Sequence, residues 1–502
     1  MIKDFLKRIE EELNEEQRRA VCYDKGPSLV IAGAGSGKTR VLTYKIAYLL
    51  ERGWKPWNIL ALTFTNKAAR EMKERIARLV GHELAAGLWM GTFHSVFSRI
   101  LRKEADKIGF SSYFTIYDQA DSRNLIKTVI REMGLDDKTY KPASIAAHIS
   151  NAKNRLILPE AYLSDNAVRM ADQAAKIPMT GEIYLRYMSR LQQADVMDFD
   201  DLLLYTYILL KEHPEVCERY ADKFDFVLVD EYQDTNYAQH CIIWELTHKK
   251  QQVCVVGDDA QSIYSFRGAN IDNILNFTQK YNNAKLFKLE QNYRSTKTIV
   301  SAANSLISHN DRQIPKDVFS DKEKGSPLHV YSAYSDIEEA EIVVNQIAAL
   351  RRKEKMEYDD FAILYRTNAQ SRTFEEALRK RGMPYRIYGG LSFYQRKEIK
   401  DVIAYCRLTV NPHDEEAFKR VVNYPARGIG QTTVDKIVSA ASTDGVSLWE
   451  VVSRPEEHSL PVNKGTMGKL KAFTDIISGF IEKTELMDAA FLTQEIIRES
   501  GI

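Results

Sequence analysis

Six short apolar runs recur along roughly the first 300 residues, and each run ends in a polar cluster. The pairs are SLVI before AGAGSGKT, ILALTF before TNKAAREM, LWMGTF before HS, FVLV before DEYQDT, VCVV before GDDAQS, and KLFKL before EQNYRS. Short apolar runs are typical of buried strands, and a 3.6-residue apolar period, as in NKAAREMKERIARLVG, is typical of helices. This alternation predicts an α/β fold with a parallel sheet covered by helices on both faces. Ligands bind beyond the carboxyl ends of such strands, so we expect every polar cluster at one edge of one sheet.

The pattern changes along the rest of the chain. Helical stretches such as ADSRNLIKTVIREMGL dominate from about residue 106 to 195, and new strand signals follow residue 286 in LHVYSAY, DFAILYRT and PYRIYGG. Helical segments, including PARGIGQTTVDKIVSAA, then continue to the last residue. We therefore divide the chain into four parts. They are a first sheet domain (1–105 and 196–285), a helical insertion in it (106–195), the start of a second sheet domain (286–388), and a helical insertion in that one (389–502).

The amino-acid composition favours a globular protein without a membrane segment, a signal peptide or a disulfide framework. The 502 residues are 44% hydrophobic and 28% charged, as in globular proteins, and no apolar run is long enough to cross a bilayer. The N-terminus, MIKDFLKRIEEEL, carries both charges and has no apolar signal core. The five cysteines are scattered without zinc or disulfide spacing. We expect a cytoplasmic protein with no membrane segment, while its net charge of +1 does not by itself indicate nucleic acid.

The segment AGAGSGKT follows the first apolar run and opens a helix-like stretch. In this strand–loop–helix context, a Gly-rich loop surrounds phosphates with its backbone N–H groups at a helix N-terminus. The lysine reaches the β- and γ-phosphates, and the last hydroxyl holds Mg²⁺. The first position is alanine where the strict pattern has glycine. The residues expected to bind the nucleotide are Ala32, Gly33, Ala34, Gly35, Ser36, Gly37, Lys38 and Thr39.

The segment FVLVDEYQD places Asp230 and Glu231 where a buried strand ends. An ATPase needs one carboxylate for Mg²⁺, here Asp230, and another to orient the attacking water, here Glu231. A solvated acidic strand end is the alternative, and the phosphate loop upstream argues against it. These two segments predict an ATP-binding protein, with ATP and Mg²⁺ as cofactors, that hydrolyses the nucleotide.

An ordered series of clusters resembles the UvrD/Rep/PcrA group of superfamily 1 DNA helicases. The series is LNEEQ, AGAGSGKT, ALTFTNKAAREM, GTFHS, DFDDLL, VDEYQDTN, VGDDAQSIYSFRGA, LEQNYRS, YRTNAQSR, YGGLSFYQRKEIKD and PARGIG. Each member is a weak signal, but the order is specific and covers essentially the whole chain. The resemblance implies RecA-like P-loop domains with helical insertions. It also implies a motor that closes on ATP, moves 3′ to 5′ on single-stranded DNA and unwinds DNA at single-strand/duplex junctions in repair or replication restart.

The resemblance assigns four further residues to the nucleotide. Gln17 reads adenine, because a side-chain amide offers a donor and an acceptor to a base edge. Tyr293 stacks on the adenine, and Arg294 reaches the γ-phosphate, where arginine stabilises developing charge. Gln261 senses the γ-phosphate and the attacking water, and links the nucleotide to the DNA groove. A solvated helical glutamine is the alternative for Gln17.

The clusters that follow neighbouring strands also supply a DNA-binding set. Aromatic side chains at strand ends stack on successive bases without reading sequence. For each ring taken alone, core packing is the competing interpretation. His94 has no partners at zinc-ligand spacing, so it is not expected to bind metal, and many relatives carry tryptophan where this chain has Phe266. The expected DNA-binding residues are Phe64, Asn66, Thr92, Phe93, His94, Tyr264 and Phe266.

Two motifs have strong structural interpretations. In DFDDLL, Asp198 is a good helix N-cap, and Asp200 and Asp201 interact favourably with the helix dipole, so we interpret the motif as scaffold. In PARGIG, residues 425–430, a glycine-rich turn between helices either binds duplex phosphates through backbone N–H groups or is an ordinary turn. Both interpretations of this turn remain open.

The second sheet domain has about three strand signals, fewer than the roughly five to six strands of an average sheet. The family's TIHSAKGLEW-like and ERRLxYVAxTRA-like stretches do not occur in the sequence. We therefore expect a fragment or an early-ending product, and a weak or inactive ATPase when it is isolated. The alternatives are the helicase part of a helicase–nuclease, or a nucleotide-gated DNA-binding module. Repair proteins are possible partners, and the sequence does not indicate an oligomeric state.

Overall fold

The structure, a computed structural model, describes residues 2–388 and 393–502. Its strands are β1 (Ser28–Ala32), β2 (Ile59–Thr63), β3 (Trp89–Thr92), β4 (Thr115–Ile116), β5 (Val196–Met197), β6 (Phe226–Val229), β7 (Val253–Gly257) and β8 (Lys285–Leu289). Its α-helices are α1 (Ile2–Glu12), α2 (Glu15–Cys22), α3 (Lys38–Glu51), α4 (Asn66–Val80), α5 (His82–Ala86), α6 (Phe93–Glu104), α7 (Gln119–Glu132), α8 (Pro142–Asn154), α9 (Pro159–Ser164), α10 (Asn166–Ala174), α11 (Thr180–Gln193), α12 (Phe199–Glu212), α13 (Pro214–Lys223), α14 (Tyr237–Thr247), α15 (Asp272–Leu275), α16 (Phe277–Lys280), α17 (Lys297–Ile307), α18 (Asp336–Glu354), α19 (Ser371–Lys380), α20 (Lys397–Val410), α21 (Glu415–Val421), α22 (Gln431–Asp444), α23 (Leu448–Ser453), α24 (Lys464–Lys483) and α25 (Ala489–Ser500).

The predicted parallel sheet is confirmed. Its six strands pair in parallel in the order β3-β2-β6-β7-β1-β8, and each of the six apolar runs contributes one of them. Every residue of β1, β2, β6 and β7 is buried, as expected for a sheet with helices on both faces. Alternate residues of β1 enter different cores, Leu29 and Ile31 on one face and Val30 and Ala32 on the other. Strand β8 begins at Lys285, so this sheet continues across the boundary placed between residues 285 and 286.

Helices α7–α11 form a separate layer around their own core. Its buried residues include Ile126, Ile145, Ile183 and Tyr184. The short parallel pair of β4 and β5 lies where the chain enters and leaves these helices. No helix among the residues that the structure describes is long and apolar enough to span a membrane.

By compactness the chain divides into one unit of Met1–Gly325 with Ala404–Ile502, and a second unit of Ser326–Ile403. In the second unit, α18 and α19 share a small core that includes Ala340, Val344 and Phe374.

The strands predicted from LHVYSAY, DFAILYRT and PYRIYGG do not form in the described residues of the second unit. The chain there has no strand pairing, and Val330 and Leu364 are each 94% exposed. A strand is stable only when a neighbouring strand satisfies its backbone groups, and the apolar alternation cannot show whether such a neighbour lies beside it. The prediction of strands is therefore wrong for this segment as the structure describes it. Gly389 and Gly390, the end of the third motif, lie outside the described residues.

Within the first unit, Arg407 of α20 and the residues that begin α21 contact the α7–α11 layer through a buried polar cluster. Both carboxylate oxygens of Asp414 accept hydrogen bonds from Arg407, from Nε at 2.8 Å and from a terminal nitrogen at 3.0 Å. The hydroxyl of Tyr117, ahead of α7, donates to the same carboxylate at 3.1 Å. Arg190 of α11 pairs with Glu415 at 2.6 Å. Helices α20 and α21 are therefore attached to the α7–α11 layer by largely buried charged contacts.

Asp414→Ala is expected to lower the thermal midpoint of unfolding strongly. The change leaves the buried ends of Arg407 and Tyr117 without their partner, and breaking a buried ion pair costs about 3–5 kcal/mol. Asp475→Ala is the control, because its pair with Lys471 at 3.0 Å lies on the surface and such pairs contribute at most about 1 kcal/mol. Thermal unfolding followed by circular dichroism measures both variants. Equal midpoints would contradict the structural role of Asp414.

Candidate nucleotide and nucleic-acid sites

The loop between β1 and α3 has the conformation of a phosphate cradle. Gly35 and Gly37 have φ of 69° and 90°, a left-handed backbone that glycine adopts without strain. Ser36 donates its hydroxyl to the carbonyl of Gly33 at 2.7 Å, which closes the loop on itself. Gly37 is the N-cap of α3, whose first residues are Lys38 and Thr39. The loop therefore faces the N-terminus of a fourteen-residue helix, where backbone N–H groups and the helix dipole favour an anion.

Residues from the QNYRS segment hold this loop from outside. The side chain of Asn292 donates to the carbonyl of Ala34 at 2.6 Å, and the backbone N–H of Tyr293 donates to the carbonyl of Gly35 at 3.0 Å. A Cβ atom on Gly35 would lie 2.7 Å from the Cβ of Arg294. The sheet brings these residues together because β8, which precedes them, pairs with β1. Glycine at position 35 is thus required by close packing as well as by its backbone.

Three charged groups meet at the carboxyl end of β6. Nζ of Lys38 lies 3.3 Å from a carboxylate oxygen of Glu231. Asp230 is 5% exposed, and burial together with the Glu231 charge raises its pKa to about 7, although Lys38 acts in the opposite direction. Glu231 has φ of 50°, which is uncommon outside glycine. The sequence-predicted trio is therefore in one place, with two carboxylates and a single lysine.

This charge arrangement fits a divalent cation. A buried oxygen of Asp234 accepts no hydrogen bond within the described part of the chain, and burial raises the pKa of Asp234 to about 6. No cluster of three metal-ligating side chains occurs among the described residues. Mg²⁺ does not require such a cluster, because it usually takes one or two carboxylates together with water and substrate phosphates. Asp230 and the hydroxyl of Thr39 are the side chains that would hold it here.

Gln233 is a site residue that the sequence reasoning missed. Its side-chain amide donates to Glu231 at 3.0 Å and to Asp234 at 3.2 Å, and its amide oxygen accepts from the backbone N–H of Asp258 at 3.0 Å. A Cβ on Gly257 would lie 2.5 Å from that oxygen, so only glycine leaves room for the contact. Gln233 therefore connects the carboxylates after β6 with the loop after β7. The sequence shows that Gln233 lies inside DEYQD, but it does not show which groups the side-chain amide contacts.

The residues assigned to adenine lie beside the loop. Gln17 is buried, donates to the carbonyl of Ser36 at 2.9 Å and accepts from the backbone N–H of Asn14 at 3.2 Å. Tyr293 is 45% exposed, and its hydroxyl accepts from the side chain of Asn14 at 2.7 Å and donates to Gln291 at 2.7 Å. In this structure the Gln17 amide thus supports the phosphate loop and caps α2, while the tyrosine ring is open to a ligand.

Gln261 follows β7 in an exposed turn. Its side chain donates to Asp258 at 2.7 Å, and Lys316 lies 3.2 Å from Asp258 and 2.7 Å from Asp259. The side chains of the two aspartates and the lysine are nearly fully buried, so they hold the base of the turn. Arg294 is exposed beside the loop.

A cavity of about 730 Å³ beside the same sheet edge gathers part of the predicted DNA-binding set. Its lining includes Phe64, His94, Tyr264 and Phe266. The rings of Tyr264 and Phe266 are 5.9 Å apart, and the guanidinium of Arg267 lies 5.5 Å from each of them. Burial lowers the pKa of His94 to about 4, so this ring is neutral. The cavity therefore offers aromatic faces and two arginines, Arg123 and Arg267, alongside four aspartates, Asp118, Asp198, Asp200 and Asp234. Exposed aromatic faces are what a surface that stacks bases requires.

The other three predicted residues lie outside the cavity lining. Phe93 is 1% exposed and packs against Phe97 in the core, which is the competing interpretation for a single aromatic residue. Thr92 caps α6 by accepting from the backbone N–H of Ser95 at 3.2 Å. Asn66 is exposed at the start of α4.

The DFDDLL motif forms the floor of the cavity, and its predicted N-cap is confirmed. Asp198 caps α12 by accepting from the backbone N–H of Asp201 at 2.8 Å. Nζ of the fully buried Lys153 lies 2.6 Å from Asp198 and 2.8 Å from Asp201. Asp200 accepts from the side chain of Asn154 at 3.0 Å. The sequence did not reveal that a lysine of α8 pairs with this motif and ties the helical insertion to the sheet domain.

Two models of known protein families match the sequence of this chain, and the first covers the strands and loops described above. Residues 13–282, more than half of the chain, match the family model of the UvrD/REP helicase N-terminal domain. The chain belongs to the UvrD/REP helicase family. Residues 287–469 match the UvrD-like helicase C-terminal domain.

Relatives in this helicase family share much of the sequence. The chain is 43% identical over 490 residues to the ATP-dependent DNA helicase PcrA of Leuconostoc citreum, covering 97% of the chain and 64% of the relative. It is 43% identical over 490 residues to PcrA of Staphylococcus aureus strain Mu50, covering 97% and 66%. It is 44% identical over 486 residues to PcrA of Bacillus subtilis strain 168, covering 97% and 64%. The chain thus spans slightly less than two thirds of the length of these curated relatives.

In this family member, Asp230→Asn is expected to raise the thermal midpoint of the ligand-free protein by about 2–5 °C. The change removes a desolvated charge beside Glu231, and about 1 kcal/mol shifts the midpoint by a few degrees in a domain of this size. The measurement is thermal unfolding without nucleotide or metal at about pH 8, where Asp230 is ionised. Asp475→Asn on the surface is the control, and a midpoint for Asp230→Asn at or below that control would contradict the electrostatic assignment.

Proposed function

We propose that this chain is the motor part of an ATP-dependent DNA helicase that translocates 3′ to 5′ on single-stranded DNA and unwinds duplexes at junctions. The observation that carries the proposal is the placement of the phosphate loop, its carboxylates and the aromatic cavity at one edge of one sheet. Gln233 connects the loops after β6 and β7, so a change at the nucleotide reaches Tyr264 and Phe266 through a short covalent and hydrogen-bonded path. The relatives are named ATP-dependent DNA helicases, which supports ATP-driven DNA unwinding as the reaction.

Each nucleotide-facing side chain has a role in this proposal. Lys38 binds the β- and γ-phosphates, and Thr39 with Asp230 holds Mg²⁺, which when bound neutralises phosphate charge. Glu231 accepts the proton of the attacking water, and its hydrogen bond from Gln233 fixes the orientation of the carboxylate. Arg294 stabilises charge on the γ-phosphoryl group, and Gln261 reports its presence to the DNA side. The adenine lies against Tyr293 and the Gln17 amide.

On the DNA side, Phe64, His94, Tyr264 and Phe266 stack on bases, and Asn66, Thr92 and Phe93 support them. Stacking contributes about 1–3 kcal/mol per base and tolerates any sequence, which suits a translocating motor. The glycine turn of PARGIG, at residues 425–430, contacts duplex phosphates ahead of the single strand. We assign the protein to DNA repair or replication restart in the cytoplasm. We keep the four-part division of the chain, with β8 added to the first sheet domain.

A hydrolysis assay with and without single-stranded DNA tests the proposal. We expect weak ATP turnover that DNA stimulates, and Glu231→Gln should reduce this turnover by about 10²-fold or more because the general base is lost. The same variant should still bind a fluorescent ATP analogue, whereas Lys38→Ala should lose binding.

Undiminished turnover in Glu231→Gln would exclude Glu231 as the general base. Binding of nucleotide and DNA without any hydrolysis would instead identify a nucleotide-gated DNA-binding module. DNA cleavage by a longer form of the protein would favour the helicase–nuclease alternative.

A further inference from the structure

A half-buried tryptophan at the edge of the sheet contacts two cations. Trp89 begins β3, the terminal strand of the sheet order. Nζ of Lys223, the last residue of α13, lies 3.8 Å from the centre of its ring, and the guanidinium carbon of Arg99 on α6 lies 4.3 Å from it. Lys103 is one helical turn beyond Arg99 on the exposed face of α6. We call Trp89, Arg99, Lys103 and Lys223 the Trp89 patch.

The three cations of the Trp89 patch have no acidic partner. In the part of the chain that the structure describes, none of them forms an ion pair, whereas the neighbouring Lys107 and Arg219 both pair with Glu104, at 3.2 and 2.6 Å. Burial, Lys103 and Arg99 together lower the pKa of Lys223. Like charges held this close repel each other, and the face of one indole ring offsets only part of that repulsion. An anion that contacts all three side chains would offset this repulsion.

One helix, α6, contributes to both the aromatic cavity and the Trp89 patch. Helix α6 begins at Phe93, and His94 in its first turn lines the cavity. Ser95, Arg99 and Lys103 follow at intervals of four residues, so they form one exposed row along the helix. At about 1.5 Å per residue, Arg99 and Lys103 lie about 7 and 13 Å from the cavity end of α6. With about 3.4 Å or more per nucleotide, this is a distance of roughly two to four nucleotides.

We propose that the Trp89 patch binds the backbone phosphates of single-stranded DNA where the strand leaves the aromatic cavity. Arg99, Lys103 and Lys223 neutralise the phosphates, and Trp89 holds the first and last of these side chains in place through its ring. The cavity stacks bases and the patch binds backbone, so the two surfaces together form a longer site. This inference rests on the proposed function, because it requires single-stranded DNA in the cavity.

The test is the affinity of oligothymidylates of increasing length, measured by fluorescence anisotropy at several salt concentrations. The triple variant Arg99→Ala, Lys103→Ala, Lys223→Ala should keep the wild-type affinity for the shortest oligonucleotides, which fit in the cavity. It should lose the gain in affinity that the wild type shows with longer ones, by roughly tenfold at low salt. The slope of log affinity against log salt should fall by about 2, since each phosphate contact on a single strand contributes about 0.7.

A matched control removes three positive charges elsewhere, as Lys436→Ala, Lys471→Ala, Arg498→Ala on exposed positions of α22, α24 and α25. It should retain both the gain with length and the salt slope, which separates a local site from net charge. Retained affinity for the shortest oligonucleotide and for a fluorescent ATP analogue shows that the triple variant is folded. If the triple variant binds neither the shortest oligonucleotide nor the ATP analogue, the patch is needed for more than the longer DNA site, and the inference fails.

The outcomes separate this inference from the proposed function. If the wild type binds no single-stranded DNA, the proposed function and the patch both fail. If the wild type binds and the triple variant keeps the length gain and the slope, only the patch is excluded. A triple variant that differs only in binding inorganic phosphate, with unchanged DNA binding, would make the patch a free-anion site and overturn the inference.

Discussion

Parallel pairing of strands that are buried on both faces places the candidate nucleotide site and the aromatic cavity of this protein. Because all six strands run in one direction, their carboxyl ends lie at one edge, and the loops that leave them must share it. The phosphate loop follows β1, the carboxylates follow β6, and the turn with Gln261 follows β7. The segment of Asn292 and Tyr293 follows β8 and reaches the phosphate loop only because β8 pairs with β1. Register and strand order thus determine which side chains meet.

The same edge concentrates negative charge that the protein alone leaves poorly balanced. Asp230 and Asp234 have raised pKa values because they are buried near Glu231, and Lys38 is the nearby cation. Such a site favours a ligand that brings positive charge with it, as a magnesium-bound nucleotide does. Gln233 keeps the carboxylates in place by donating to two of them, and its amide oxygen accepts from the loop that leads to Tyr264 and Phe266. One buried amide therefore connects the charged carboxylates with the loop that carries two rings of the aromatic cavity.

The sequence predicted the strands and the loops at this edge of the sheet, because apolar runs indicate buried strands and the polar residues after them indicate where the strands end. The six strands, the cap at Asp198 and the meeting of Lys38 with Glu231 all follow from local pattern and parallel topology. The strands expected after residue 326 are not found in the described part of that segment, because alternation cannot show whether a pairing partner exists. Long-range side-chain contacts were also invisible: Lys153 beneath DFDDLL and Asp414 beneath Tyr117 join residues 45 and 297 positions apart. Phe93 was expected at the DNA surface, but a strand-end aromatic can turn inward, and only packing decides this.

Reciprocal linkage between the two ligands tests the central claim, that one sheet edge couples nucleotide to DNA. In Glu231→Gln, which is expected to hold ATP without hydrolysing it, the affinity for single-stranded DNA is measured with and without Mg²⁺-ATP. Nucleotide affinity is then measured with and without DNA. The account predicts that each ligand changes the affinity of the other by the same factor, about fivefold or more, as thermodynamic coupling requires. Binding of both ligands with affinities that do not depend on each other would contradict it.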